Sequence, residues 1–242
     1  MELWVVLTLI AAVLSFMLSA SAGLGGSLIL VPTLALALGT KEGVALAALL
    51  LAGNNVVKVI AYRKTLPFRK SLIVIILIVL GAGIGARLLV VAPENLVTIA
   101  VIVSFVLALI AERLDLSGLR RVGGPVLAFG SGATSGFSGT SGPLKGMAIR
   151  QLDLDRAHFV GAASLVSLVG DATKAAVFTG AELLGGDSFL IAIAAVPLMV
   201  LATFAGRRIN SSIGERGYAW LFWLVMAGYT MRLLLTIATR SG

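Results

Sequence analysis

Two glycine-rich runs interrupt an otherwise apolar chain, and they constrain its fold more than any other feature. Residues 20–27 read ASAGLGGS and residues 135–146 read SGFSGTSGPLKG. Inside a bilayer, irregular backbone must have its N–H and C=O groups satisfied by protein, water or ligand. A glycine-rich break that opens a helix therefore reads as backbone N–H groups facing something negative. The plainer reading of either run is a loop between two helices. That the chain carries two such runs favours the first.

The membrane setting follows from composition. Hydrophobic residues make up 59% of the 242 and charged ones 12%, with mean hydropathy +1.06. A soluble domain carries about 25% charge, so the chain reads as an all-α polytopic membrane protein. The net charge is +8, and most of the 19 basic residues lie in short loops beside apolar segments. This pattern sets membrane orientation and points away from a nucleic-acid partner. With no cysteine and one histidine, thiolate catalysis and cysteine or histidine metal clusters are excluded, and no cofactor is expected. The start of the chain ends an apolar run in Ala20-Ser21-Ala22, as a signal peptide would. Its first residues, however, hold Glu2 and no positive charge, which is wrong for one, so the segment is kept in the mature protein.

The apolar segments are 3–20, 27–39, 43–62, 71–91, 95–111, 122–138, 143–150, 155–178, 188–206 and 216–238, giving 8–10 membrane segments. A full crossing takes roughly 20 residues. The pieces 27–39 and 143–150 are too short to span alone, and each directly follows a glycine-rich break.

The chain also reads as one domain, 1–242, made of two copies, 1–112 and 119–238. Gly23 and Gly139 are 116 apart, as are Gly26 and Gly142, Ala47 and Ala163, and Lys58 and Lys174. Gly85-Ala86-Arg87 with Glu94 then matches Gly206-Arg207-Arg208 with Glu215 at an offset of 121. Loop charge gives each copy its direction. Loop 62–70 holds Arg63, Lys64, Arg69 and Lys70, whereas 179–187 holds Glu182 and Asp187. The next loops reverse the contrast: Arg87 alone against Arg207, Arg208 and Arg216. By the positive-inside rule the copies are inverted repeats, each with a glycine-interrupted helix hairpin. The linker with Arg113, Arg120 and Arg121, together with Arg150 and Arg156, then falls inside. A parallel four-plus-four arrangement is the alternative, and it leaves the charge reversal unexplained.

Candidate chemistry lies on the helices after the breaks. Asn54, Asn55 and Lys58 share one apolar helix, and Asp171, Thr173 and Lys174 the other. Ionisable groups within a span are costly and face a cavity or a partner. Snorkelling of the two lysines is the plain alternative, but Asn54, Asn55 and Asp171 are too short for it. Asp171 and Lys174, at i and i+3, can pair, for structure or for ion coupling. Lys145 has Ile29 as its counterpart and reads first as an interface anchor, second as part of an anion path. His158, beside Asp155 and Arg156, reads as a solvated loop residue, with proton carriage as the lesser role. No hydrolase elbow, zinc motif or P-loop is present, and Ser138 and Ser141 lack a general base, so no catalytic or metal residue is assigned.

The duplicated breaks, Gly23-Leu24-Gly25-Gly26-Ser27 with Val31-Pro32 and Gly139-Thr140-Ser141-Gly142-Pro143, each lead into an alanine-rich helix. With the Gly85-Ala86-Arg87 segment end, they resemble the TauE/SafE sulfite exporter family over nearly the whole chain. The resemblance implies a multi-pass protein of the bacterial or archaeal inner membrane that moves small sulfur-containing anions such as sulfite or sulfonates. The second break departs from the glycine-run pattern by adding hydroxyls, which bear on anion preference. Substrate would be held where the breaks meet, by Gly23, Gly25, Gly26, Ser27, Gly139, Thr140, Ser141 and Gly142. Asn54, Asn55, Lys58 and Lys174 would flank it, and Asp171 would serve coupling. The partners are a small anion and the lipid bilayer, with a homodimer as an admissible assembly. A passive anion channel, a cation or metal carrier, and an intramembrane enzyme are the rivals.

Orientation is directly testable in this cysteine-free background. Cysteines introduced at Thr65 and Ala181 are expected to react with an impermeant thiol reagent from opposite faces of sealed vesicles. Labelling of both from one face ends the inverted-repeat reading.

Overall fold

The computed structural model describes residues 3–22, 25–111 and 123–212, whose regular structure is all helical, with no strand among them. In order the helices are α1 (Leu3–Ala22), α2 (Gly26–Leu38), α3 (Thr40–Ala61), α4 (Phe68–Val91) and α5 (Glu94–Ala111). They continue as α6 (Gly124–Ser138), α7 (Gly142–Arg150), α8 (Arg156–Gly180), α9 (Gly186–Ala194) and α10 (Val196–Ser212). The expected segment 216–238, the linker arginines Arg113, Arg120 and Arg121, and Glu215 and Arg216 lie outside the described residues.

Three of these helices, α3, α4 and α8, are long and apolar enough to cross a membrane. The expected single segment 188–206 is instead two helices, α9 and α10, which meet at 44° and make a fourth crossing if they form one broken span. Pro197, in the first turn of α10, explains the division. It has no N–H to donate, and its ring crowds the preceding turn. The stretches Leu9–Ala20, Gly26–Leu38 and Glu94–Ala108 are shorter apolar helices. At 1.5 Å per residue, the 13 residues of α2 reach only about 20 Å.

The side chains are arranged for lipid. Along α4, Leu72, Ile73, Ile76, Leu80, Ile84 and Leu88 are exposed, while Ser71, Gly81, Ala82, Gly85 and Ala86 are buried. Most of the large apolar groups thus face outward, and the small and polar residues face the bundle beside Val74, Ile78 and Leu89. That inversion of a soluble helix is what a bilayer solvent selects.

Small residues let two backbones approach closely where α4 crosses α6. A Cβ added at Gly81 would stand 2.3 Å from the Phe129 carbonyl oxygen, and one at Gly85 would stand 2.2 Å from that of Ala133. Gly132 and Gly136 of α6 answer against Ile78 and Ala82. Both helices therefore carry glycines four residues apart, the spacing that allows close helix crossing in membranes. The contact has a counterpart elsewhere: Gly206 of α10 lies 2.4 Å, by the same measure, from the Met17 carbonyl oxygen of α1. Gly206 and Met17 stand 121 and 116 residues from Gly85 and Ala133.

The basic loops gather at one end of the bundle. The Arg207 guanidinium lies over the Tyr62 ring, 5.4 Å from its centroid, and donates to the Ala61 carbonyl at 2.9 Å. Leu66–Lys70 and Asp153–His158 line one open groove at that same end. Thr65 packs against Gly161 near the start of α8, and Ala181 follows its far end. Twenty helical residues, about 30 Å, separate those two levels, which is the thickness of a bilayer core. At the other end of α3, the Thr40 N–H donates to Glu94 and Lys41 donates to the Val90 carbonyl.

The α4–α6 crossing leaves no room for a side chain. Gly85→Val and Gly136→Val are each expected to lower stability by more than the usual 1–3 kcal/mol of overpacking, about 3 kcal/mol or above. Thermal melting of detergent-purified protein measures it. Gly180→Val, where an added Cβ meets nothing within 4 Å, should melt close to wild type.

Candidate substrate site

The two glycine-rich breaks come together inside the bundle. The first turn of α2 lies against α1, where the Ser15 hydroxyl donates to the Gly26 carbonyl at 2.7 Å. Gly25, with φ of 97°, turns the chain into α2 in a left-handed conformation that glycine adopts without strain. Gly139, with φ of 78°, does the same at the end of α6 and packs on Val31 of α2. Across the junction the Ser27 hydroxyl donates to the Thr140 hydroxyl at 3.1 Å.

A small cavity of about 40 Å³ lies at this junction, room for about three waters. Of the expected site residues, Gly25, Gly26, Ser27, Asn55, Thr140, Ser141 and Asp171 line it. Gly26 also fits tightly on α1, since an added Cβ would meet that of Ser19 at 2.9 Å. Both α2 and α7 begin here, so each points its N-terminal N–H groups and the positive end of its dipole toward the cavity.

Beside the cavity runs a continuous buried polar string. The Lys58 ammonium donates to Ser19 Oγ at 2.9 Å and to Asn55 Oδ1 at 3.1 Å. The Asn55 amide donates to Asp171 Oδ2 at 2.8 Å. Asp171 Oδ1 lies 2.6 Å from the Lys174 ammonium, which also donates to Ser135 Oγ at 3.0 Å. Lys58 and Lys174 are 0% and 1% exposed, so neither snorkels to the interface. The amide of Asn55 must be oriented this way, because Lys58 needs its oxygen and Asp171 needs its N–H.

Some expected residues stand elsewhere. Lys58 and Lys174 are one layer behind the cavity wall. Asn54 turns toward α10, where its oxygen accepts from the Thr203 hydroxyl at 3.0 Å. Its Nδ2 is buried with no partner among the described residues. Gly139 shapes the break without lining the cavity, and Gly23 lies outside the described residues. His158 is in the first turn of α8 rather than a loop. Its backbone N–H and its ring bind Asp155, which caps that helix and whose carboxyl they hold below the usual range.

Three polar residues of the wall were not assigned from sequence: Ser19, Ser135 and Ser167. Ser19 and Ser135 were readable, because each precedes its lysine by 39 residues, the same step in both copies. The expectation of Lys145 as an interface anchor is corrected. It is 9% exposed, lines the cavity and donates to Ser167 Oγ at 3.1 Å. As the fourth residue of α7, its side chain leans back toward the helix start, and so reaches the cavity instead of the surface. Among the described residues no group of three His, Cys, Asp or Glu could hold a metal ion.

Long apolar helices, an outward apolar surface and a polar interior define a polytopic all-helical membrane protein. Within that class the chain belongs to the TauE/SafE sulfite exporter family, whose model, described as Sulfite exporter TauE/SafE, matches residues 7–233. No curated protein and no solved structure matches the chain.

The Asp171–Lys174 pair permits a sharp test. Asp171→Asn leaves a buried ammonium without its carboxylate, and breaking a buried pair in this way costs about 3–5 kcal/mol. Thermal melting should show that loss, and Asp171→Asn combined with Lys174→Met should recover much of it. An Asp171→Asn protein that melts like wild type would mean the pair contributes nothing to stability.

Proposed function

We propose that the protein is a transporter of small sulfur-containing anions, sulfite or a related oxyanion, in the cell's inner membrane. The anion is held in the cavity between the two breaks, near the membrane midplane. The observation that carries this reading is the shared cavity at the N-terminal ends of α2 and α7, ringed by Ser27, Thr140 and Ser141. Two helix starts supply roughly half a positive charge each, and the hydroxyls supply donors. The cavity's size favours a compact oxyanion over one with a long organic tail. Lys58 adds to the positive field from behind the wall, and Lys174 offsets the charge of Asp171, which itself lines the cavity.

Residues 1–112 and 119–238 are read as inverted repeats whose relative rocking opens the cavity to alternate sides. The matched α4–α6 and α10–α1 crossings and the shared 39-residue step from serine to lysine support two equivalent halves. Asp171, the one buried carboxylate among the described residues, is the candidate for proton coupling. A cation carrier is disfavoured by three buried lysines against that one carboxylate. An intramembrane enzyme is disfavoured by membership of a transporter family.

Ligand-dependent thermal stabilisation tests the reading. Sulfite should stabilise the purified protein, and divalent cations should not. Thr140→Val, which removes one hydroxyl donor and leaves the backbone in place, should weaken affinity roughly ten- to a hundredfold, since a hydrogen bond to a charged group is worth about 1.5–3 kcal/mol. Stabilisation by sulfite that is unchanged in Thr140→Val would move the anion away from the breaks.

A further inference from the structure

We propose that Lys145 is the residue that takes the charge of the anion, so that the anion sits to one side of the junction, against α7 and α8. The inference rests on reading this cavity as the transport site.

The three buried ammonium groups are not equivalent. Lys174 faces the Asp171 carboxylate and Ser135, and Lys58 donates to Ser19 and Asn55. Neither lines the cavity, whereas Lys145 does. Among the described residues the Lys145 ammonium donates to Ser167 alone, a neutral hydroxyl. An ammonium has three N–H donors, so two are available to a ligand at a wall that also presents Thr140, Ser141 and Ser27.

Charge balance points the same way. The buried charged residues described are Lys58, Lys145, Lys174 and Asp171, three formal positive charges against one negative. A buried charge is stable only when paired and hydrogen-bonded. Asp171 is already engaged by Lys174 and Asn55, and no other carboxylate is buried among the described residues, so a bound anion is a fitting counter-charge for Lys145. A compact oxyanion supplies it together with several acceptor oxygens for the surrounding hydroxyls.

The two halves also differ at this point. The counterparts of Lys145 and Ser167 at the 116-residue offset are Ile29 and Leu51, and Leu51 lines the cavity opposite. At the position of Ser167 the first half thus presents an apolar side chain, and only the second half brings an ammonium to the wall. An anion placed midway is drawn toward the second.

Titration of detergent-purified protein with sodium sulfite tests this. Wild type should bind saturably, and Lys145→Met should bind roughly ten- to a hundredfold more weakly, the loss of a charged hydrogen bond. Lys145→Arg should recover part of that loss, because the charge is restored with different donor geometry. A readout on the unaltered chain uses [ε-¹³C]lysine: the Lys145 resonance should move on adding sulfite by more than those of Lys58 and Lys174. Wild-type binding with Lys145→Met within twofold of it, or a Lys145 resonance that sulfite leaves in place, overturns the assignment of Lys145 alone. A wild type that binds none of sulfite, sulfate, thiosulfate and methanesulfonate overturns the transport-site reading itself.

Discussion

The hydrogen bond from Asn55 to Asp171 is the contact on which the rest of the interior depends. It joins α3 to α8 at the centre of a string that runs Ser19, Lys58, Asn55, Asp171, Lys174, Ser135. Each ammonium in that string would be prohibitively costly to bury alone. Together they are satisfied by alternating donors and acceptors drawn from four helices. The two residues at the centre are 116 apart, so they occupy matching positions and face each other. Two aspartates there would repel unless they shared a proton. Two asparagines would leave Lys174 without its carboxylate. One of each satisfies every partner.

With α3 and α8 fixed in this way, the breaks are brought together by small residues. Gly26 fits against Ser15 and Ser19, and Gly139 fits against Val31 and Val44. The glycine crossing of α4 and α6 then closes the bundle from behind, leaving its large apolar side chains for lipid. Close approach of backbones and a polar interior are two aspects of one arrangement. Small residues bring the helix starts near enough to share a cavity, and only a polar wall can face those starts.

Much of this was legible in the chain. The apolar segments predicted α3, α4 and α8 closely, because length and composition alone decide whether a helix can cross a bilayer. Asp171 and Lys174 were readable as a pair from their spacing on one helix face. The division of 188–206 was harder, since a proline near a helix start is compatible with one helix or two, and packing decides. Asn54 and Asn55 look alike in sequence, yet one helical step of about 100° sends the first to α10 and the second to the cavity. Sequence leaves Lys145 between an interface anchor and part of an anion path, because a lysine near a helix start fits either. Its counterpart is Ile29, so symmetry offers no guide to it, although a site that binds one ligand between two halves has reason to break that symmetry.

The strength of the links across the junction bears on how the proposed rocking could proceed. Ser27 and Thr140 join the breaks by one bond between neutral hydroxyls, worth about 0.5–1.5 kcal/mol net. The string through Asp171 contains an ion pair and charge-assisted bonds, each roughly twice as strong as a neutral one. A motion that separates the breaks while keeping α3 on α8 therefore loses the weak link and preserves the strong ones. An anion that accepts from both Ser27 and Thr140 would replace their mutual bond with two bonds to itself, so that occupying the cavity and loosening the junction become one event. The string would then act as the pivot, and the hydroxyl pair as the part that moves.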